Sequence, residues 1–112
     1  MERKILFIGN NPAVRDSLSH ALSGRSLRVF TARDGVEGLF QFGVVQPHVV
    51  ILDTDESDTL RRLRSLSAVP IIVLADETSG PESIGLGADF FVPRPPNLRE
   101  LSAMVRATFR RI

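Results

Sequence analysis

The stretch Pro47-His48-Val49-Val50-Ile51-Leu52-Asp53 is an apolar run that ends on a carboxylate. A strand with one wet face alternates apolar and polar residues, whereas a strand covered on both faces is apolar throughout. Two-sided cover is the property of a parallel sheet with helices above and below. In open parallel sheets the chemistry sits beyond the carboxyl ends of the strands, so Asp53 is aimed at the place where a site would form.

On the N-terminal side, Lys4 to Ile8 is a short apolar strand stopped by Gly9. Asn11-Pro12 then starts a helix, Asn as N-cap and Pro in the first helical position. Val14, Leu18, Ala21 and Leu22 recur at helical spacing, and Gly24 ends the segment. Leu27 to Ala32 reads as an edge strand. Val36, Leu39, Phe40, Gly43 and Val44 mark a second helix that Pro47 terminates.

On the C-terminal side, Leu60, Leu63 and Leu66 among Arg61, Arg62 and Arg64 describe a short amphipathic helix, and Pro70 to Ala75 is a second fully apolar strand. Ser79 to Gly87 holds three glycines and a proline, so its helix is short and weak. Ala88 to Val92 is a fifth strand; Pro93 is compatible only with the end of an edge strand, where no ladder donor is missed. Asn97, with Glu100 behind it, caps a last helix whose buried stripe is Leu98, Leu101, Val105 and Phe109. Strands alternating with helices through right-handed crossovers make a doubly wound α/β fold. The strand ends Gly9-Asn10, Asp53, Ala75-Asp76 and Arg94 then converge.

A chain of 112 residues with 43% hydrophobic content supports one domain, residues 1–112, with a core of its own. The net charge of +1 makes no electrostatic case for nucleic acid or a membrane surface as this domain's partner. Without cysteine there are no disulfides, thiolate nucleophiles or Cys-bound metals. His20 and His48 lack ligand spacing and read as a helix-surface and a strand-entry residue. No apolar run approaches membrane-spanning length, and a cytoplasmic location is the expectation.

Lys4-Ile5-Leu6, Asn11-Pro12 with Val14-Arg15, Asp34-Gly35, Pro47 before Val50-Ile51-Leu52-Asp53, Gly87-Ala88-Asp89, and Pro95 followed by Leu98 and Leu101 together resemble a response-regulator receiver domain of the CheY-like family. The resemblance covers the whole length and implies a flavodoxin-like, five-stranded parallel sheet in the order 2-1-3-4-5 with five helices. It also implies a place in a two-component or phosphorelay pathway. Asp53 matches the aspartate that attacks a phosphoryl group from a histidine kinase or a small phosphodonor. The chain end at Val105 to Arg111 resembles the last receiver helix running into a linker, so an attached effector domain is expected.

The matching site is depleted. The family's acidic, Mg²⁺-holding pair falls on Gly9 and Asn10, its phosphoryl-contacting hydroxyl on Ala75, and its lysine on Arg94. Mg²⁺ requires hard anionic oxygens, so no metal is expected and Asp53 alone is a weak ligand. Arg94 keeps the charge but exchanges a compact ammonium for a planar fork. Thr54 to Asp58 replaces the family's Met-Pro-Gly loop; Asp55, Glu56 and Asp58 are either substitute ligands or helix-start acids that satisfy free N–H groups, and the second reading is favoured. Phe91 matches the aromatic that the family couples to the missing hydroxyl.

The expectation is therefore an atypical receiver, not an enzyme, working by protein contact through Phe91 and Pro95, with a kinase, an effector domain or a second copy as partner. A conventional phosphoreceiver modified on Asp53 is the alternative. Asp53-Thr54-Asp55 also has the DxD form of haloacid-dehalogenase phosphatases and Toprim nucleases. No lysine follows Lys4 to serve the first, and Gly9 stands where the second needs a glutamate.

Overall fold

The computed structural model describes residues 2–22, 24, 26–53 and 57–110. Strands and helices alternate along the chain: β1 (Arg3–Gly9), α1 (Pro12–Leu22), β2 (Leu27–Ala32), α2 (Gly35–Val45), β3 (Val49–Asp53), α3 (Ser57–Leu66), β4 (Ile71–Ala75), α4 (Gly80–Gly85), β5 (Phe90–Pro93) and α5 (Leu98–Phe109). The sheet order is β2-β1-β3-β4-β5, every pair parallel, which is the flavodoxin-like arrangement.

The unbroken apolar runs have the expected cause. Val49 and Ile51 enter one core with Leu18, Leu22, Leu101 and Val105 of α1 and α5. Val50 and Leu52 enter the opposite core with Leu60 and Leu63 of α3. Successive strand side chains point to opposite faces, so a strand feeding two cores must be apolar at every position. β1 behaves alike, with Ile5 and Phe7 on one side and Leu6 and Ile8 on the other.

The helix starts follow their capping chemistry. Asn11 Oδ1 accepts from the N–H groups of Ala13 and Val14 at 3.0 and 3.3 Å. Asp34 Oδ1 accepts from Glu37 N at 2.9 Å and Asn97 Oδ1 from Glu100 N at 3.0 Å. At the entry to β3, His48 Nδ1 accepts from Lys4 N at 3.0 Å while His48 N donates to Lys4 O at 2.8 Å. The strand-entry reading of His48 holds, and His20 lies exposed on α1.

Two helix faces differ from the sequence reading. α2 forms as expected and Leu39 packs against the core, but Gly35, Gly38 and Val45 are the buried residues, while Val36, Phe40 and Val44 are 83%, 68% and 66% exposed. The reason is close approach. A Cβ on Gly38 would stand 2.6 Å from Ile8 Cδ1, so the helix backbone rests on the strand and its large side chains turn outward. In α3, Leu66 is 67% exposed and does not share the buried face of Leu60 and Leu63. Among the described residues no helix is long and apolar enough to cross a membrane.

Candidate functional site

Sheet register assembles the carboxyl-end mouth. Gly9 pairs with Asp53 across β1 and β3, Ala75 pairs with Pro93 across β4 and β5, and Arg94 N donates to Ala75 O at 3.1 Å. The turn after β4 closes through Asp76 O, which accepts from Ser79 N and Gly80 N at 3.1 and 2.8 Å. The four strand ends singled out in the sequence therefore meet at one place.

At its centre, Arg94 Nε donates to Asp53 Oδ1 at 2.8 Å. The side chains retain 26% and 10% of their exposure respectively, so this charge-assisted bond lies in a sheltered setting where it is stronger than at an open surface. The Arg94–Pro95 peptide is cis, and Pro95 is exposed.

Gly9 is packed as tightly as the pairing suggests. A Cβ there would lie 2.9 Å from both Asp53 Cβ and Asp53 O and 3.0 Å from Phe7 Cζ. No side chain larger than hydrogen enters that space without a shift of β3. Asn10 is exposed at the rim, and Ala75 is buried and contributes only a methyl group.

At the centre of the mouth the carboxylate of Asp53 is engaged by a guanidinium, and Asp76 stands exposed at the end of β4. Among the described residues no cluster of three or more His, Cys, Asp or Glu side chains could hold a metal ion. Asp58 forms an exposed pair with Arg62 at 3.0 Å on α3. Thr54, Asp55 and Glu56, weighed above as loop residues and substitute ligands, lie outside the described residues. Mg²⁺ prefers several hard oxygen ligands in near-octahedral order, and the described donors do not fit it.

Phe91 sits beside the mouth on β5, paired with Val73, half-buried against the core that holds Leu60 and Leu63 of α3. Its ring occupies the space where a Cβ on Gly80 would stand, so the start of α4 is its seat. The sequence reading missed the opposite end of β4 and β5. There Arg64 Nη2 pairs with Asp89 Oδ2 at 2.7 Å and Arg64 Nε donates to Gly87 O at 2.7 Å. Gly87-Ala88-Asp89 was visible as a motif, but nothing in the spacing names Arg64 as its partner.

No family model matches the chain. It is 34% identical over 115 residues to the KDP operon transcriptional regulatory protein KdpE of Escherichia coli strain K12, covering 96% of this chain and 51% of that protein. It is 38% identical over 120 residues to the response regulator MprA of Mycobacterium bovis strain BCG / Pasteur 1173P2, covering 99% of this chain and 52% of MprA. The chain spans about half the length of these curated relatives. Among solved structures, the chemotaxis response regulator CheY4 of Vibrio cholerae superposes with a TM-score of 0.85 at 24% identity over 96% of this chain and 99% of that one. A two-component response regulator from Clostridium difficile gives 0.89 at 21% identity, covering 98% of each chain.

Proposed function

The chain is a response-regulator receiver (CheY-like) domain of a two-component system, and from that premise we propose that it is an atypical member that signals by protein contact without Mg²⁺-dependent phosphorylation of Asp53. The observation that carries this reading is the packing at Gly9, where a side chain in place of the family's acidic residue would collide with Asp53.

Phosphoryl transfer needs the negative charge of the incoming group neutralised while the nucleophile stays ionised and free to attack. Here the Asp53 carboxylate is held by Arg94 at 2.8 Å, and Ala75 has no hydroxyl to contact a phosphoryl oxygen. Without that hydroxyl, Phe91 has no hydrogen-bonded relay from the mouth. The surface around α4, β5 and α5, with Phe91 and Pro95 at its edge, is then constitutive. Its partner is a histidine kinase or an effector domain, and the domain itself is not an enzyme.

The test is incubation with a small phosphodonor and Mg²⁺, read by mass spectrometry and by the NMR signal of the Asp53 amide. The expected result is an unmodified mass and an unmoved amide. A single added phosphoryl group that disappears in Asp53→Asn overturns the reading and restores the conventional phosphoreceiver.

A further inference from the structure

The outer face of α2 carries an apolar stripe. Val36, Phe40 and Val44 recur every fourth residue and remain 83%, 68% and 66% exposed, so they line one side of the helix. Leu66, at the end of α3 in the same helix layer, is 67% exposed. Between Gly35 and Val45 only Glu37 and Gln41 are polar. Apart from that narrow polar strip, the helix is apolar on the side turned away from the sheet as well as on the side that meets it.

We propose that this stripe is a homodimerisation face whose occupant is a second copy of the same stripe, run antiparallel across a twofold axis. A twofold contact needs a patch complementary to itself. The stripe has that property, because Phe40 is flanked by a valine four residues before and four residues after. An axis through Phe40 sets the two rings together and places each Val36 against Val44 of the second copy. Gly43 adds no bulk to this face: a Cβ there would meet nothing within 4 Å, so the space beside Phe40 is open to an approaching helix. Ridges of residues spaced by four interdigitate well between crossed helices.

Charge and area agree with this occupant. Arg33 Nε closes on Glu37 Oε2 at 3.1 Å, so neither brings an uncompensated charge to the edge of the stripe. The exposed parts of the three stripe side chains sum to roughly 400 Å² per copy, the size of the largest apolar patch on an ordinary monomer. Doubled to roughly 800 Å², they fall short of the roughly 1,200 Å² at which specific stable interfaces begin, so the dimer is a weak one that dissociates on dilution. α2 packs over β1 and β2, and the proposed signalling surface lies at the β5 edge, so both can be used together.

The absence of cysteine makes the test clean. Sedimentation across a concentration series should show a reversible dimer, with the dissociation constant raised roughly 30-fold or more by Phe40→Glu and the thermal melt unchanged. Phe40→Cys should give a disulfide-linked dimer under mild oxidation, and Ala103→Cys, on the exposed side of α5, should not. A chain that stays monomeric at every concentration overturns the proposal and leaves a different domain as the occupant. A dimer that survives Phe40→Glu, or that crosslinks through Ala103→Cys and not through Phe40→Cys, overturns it as well.

Discussion

Two arginine–aspartate pairs, Arg94–Asp53 and Arg64–Asp89, close at 2.8 and 2.7 Å and do different work. Arg64 also gives Nε to Gly87 O at 2.7 Å and Nη1 to Ser67 O and Val69 O at 3.1 and 2.9 Å. Asp89 Oδ2 takes the N–H of Ile71 at 2.8 Å as well. The pair therefore ties the end of α3, the entry to β4 and the turn before β5 into one joint at the amino ends of the strands. Arg94–Asp53 bridges the carboxyl ends of β3 and β5, where this fold places its chemistry. The distance between the charges does not separate the two roles. What separates them is that the Arg64 guanidinium also holds three backbone carbonyls, whereas Arg94 closes on the carboxylate that stands at the mouth of the sheet.

The largest consequence falls on the joint. Arg64→Ala should lower unfolding free energy by about 2–3 kcal/mol in a denaturant titration, because three carbonyls and a carboxylate lose a charged donor together. Arg64→Lys should recover less than half of that, since one ammonium cannot reproduce the fork. An Arg64→Ala loss smaller than that of Arg94→Ala would break the comparison.

Arg94→Ala comes next, at about 1–2 kcal/mol, because Asp53 is left sheltered and without its counter-charge. Combined with Asp53→Asn, the loss should be clearly less than the sum, with a coupling of about 1 kcal/mol. Strict additivity in that cycle would mean that the two side chains do not sense each other. The smallest effect belongs to Asp58–Arg62, the same chemistry one turn apart on the exposed side of α3. Asp58→Asn should change stability by less than about 0.5 kcal/mol and should do so less at high salt. A larger loss would show that proximity alone sets the value of an ion pair in this protein.

Much of this was legible in the residues. The apolar runs ending at Ile8, Asp53 and Ala75 announced strands covered on both faces, and Asn11, Asp34 and Asn97 marked helix starts through oxygens that accept nearby N–H groups. The convergence of Gly9, Asp53, Ala75 and Arg94 followed from the parallel topology, since parallel strands bring their carboxyl ends to one edge. The side of α2 that meets the sheet was not legible. With only Glu37 and Gln41 polar between Gly35 and Val45, helical periodicity names no unique face, and the decision rested on Gly38 meeting Ile8.

By itself, then, the sequence determined the order of elements, the parallel sheet and the presence of glycine, asparagine and alanine at positions 9, 10 and 75, because those depend on local patterning and residue type. Only the tertiary structure decided that Arg94 closes on Asp53, that Arg64 serves the opposite end of the sheet, and that Phe40 faces outward. Each of those depends on the distance between segments far apart in the chain, and that distance is set by how closely backbones approach where glycine replaces a side chain.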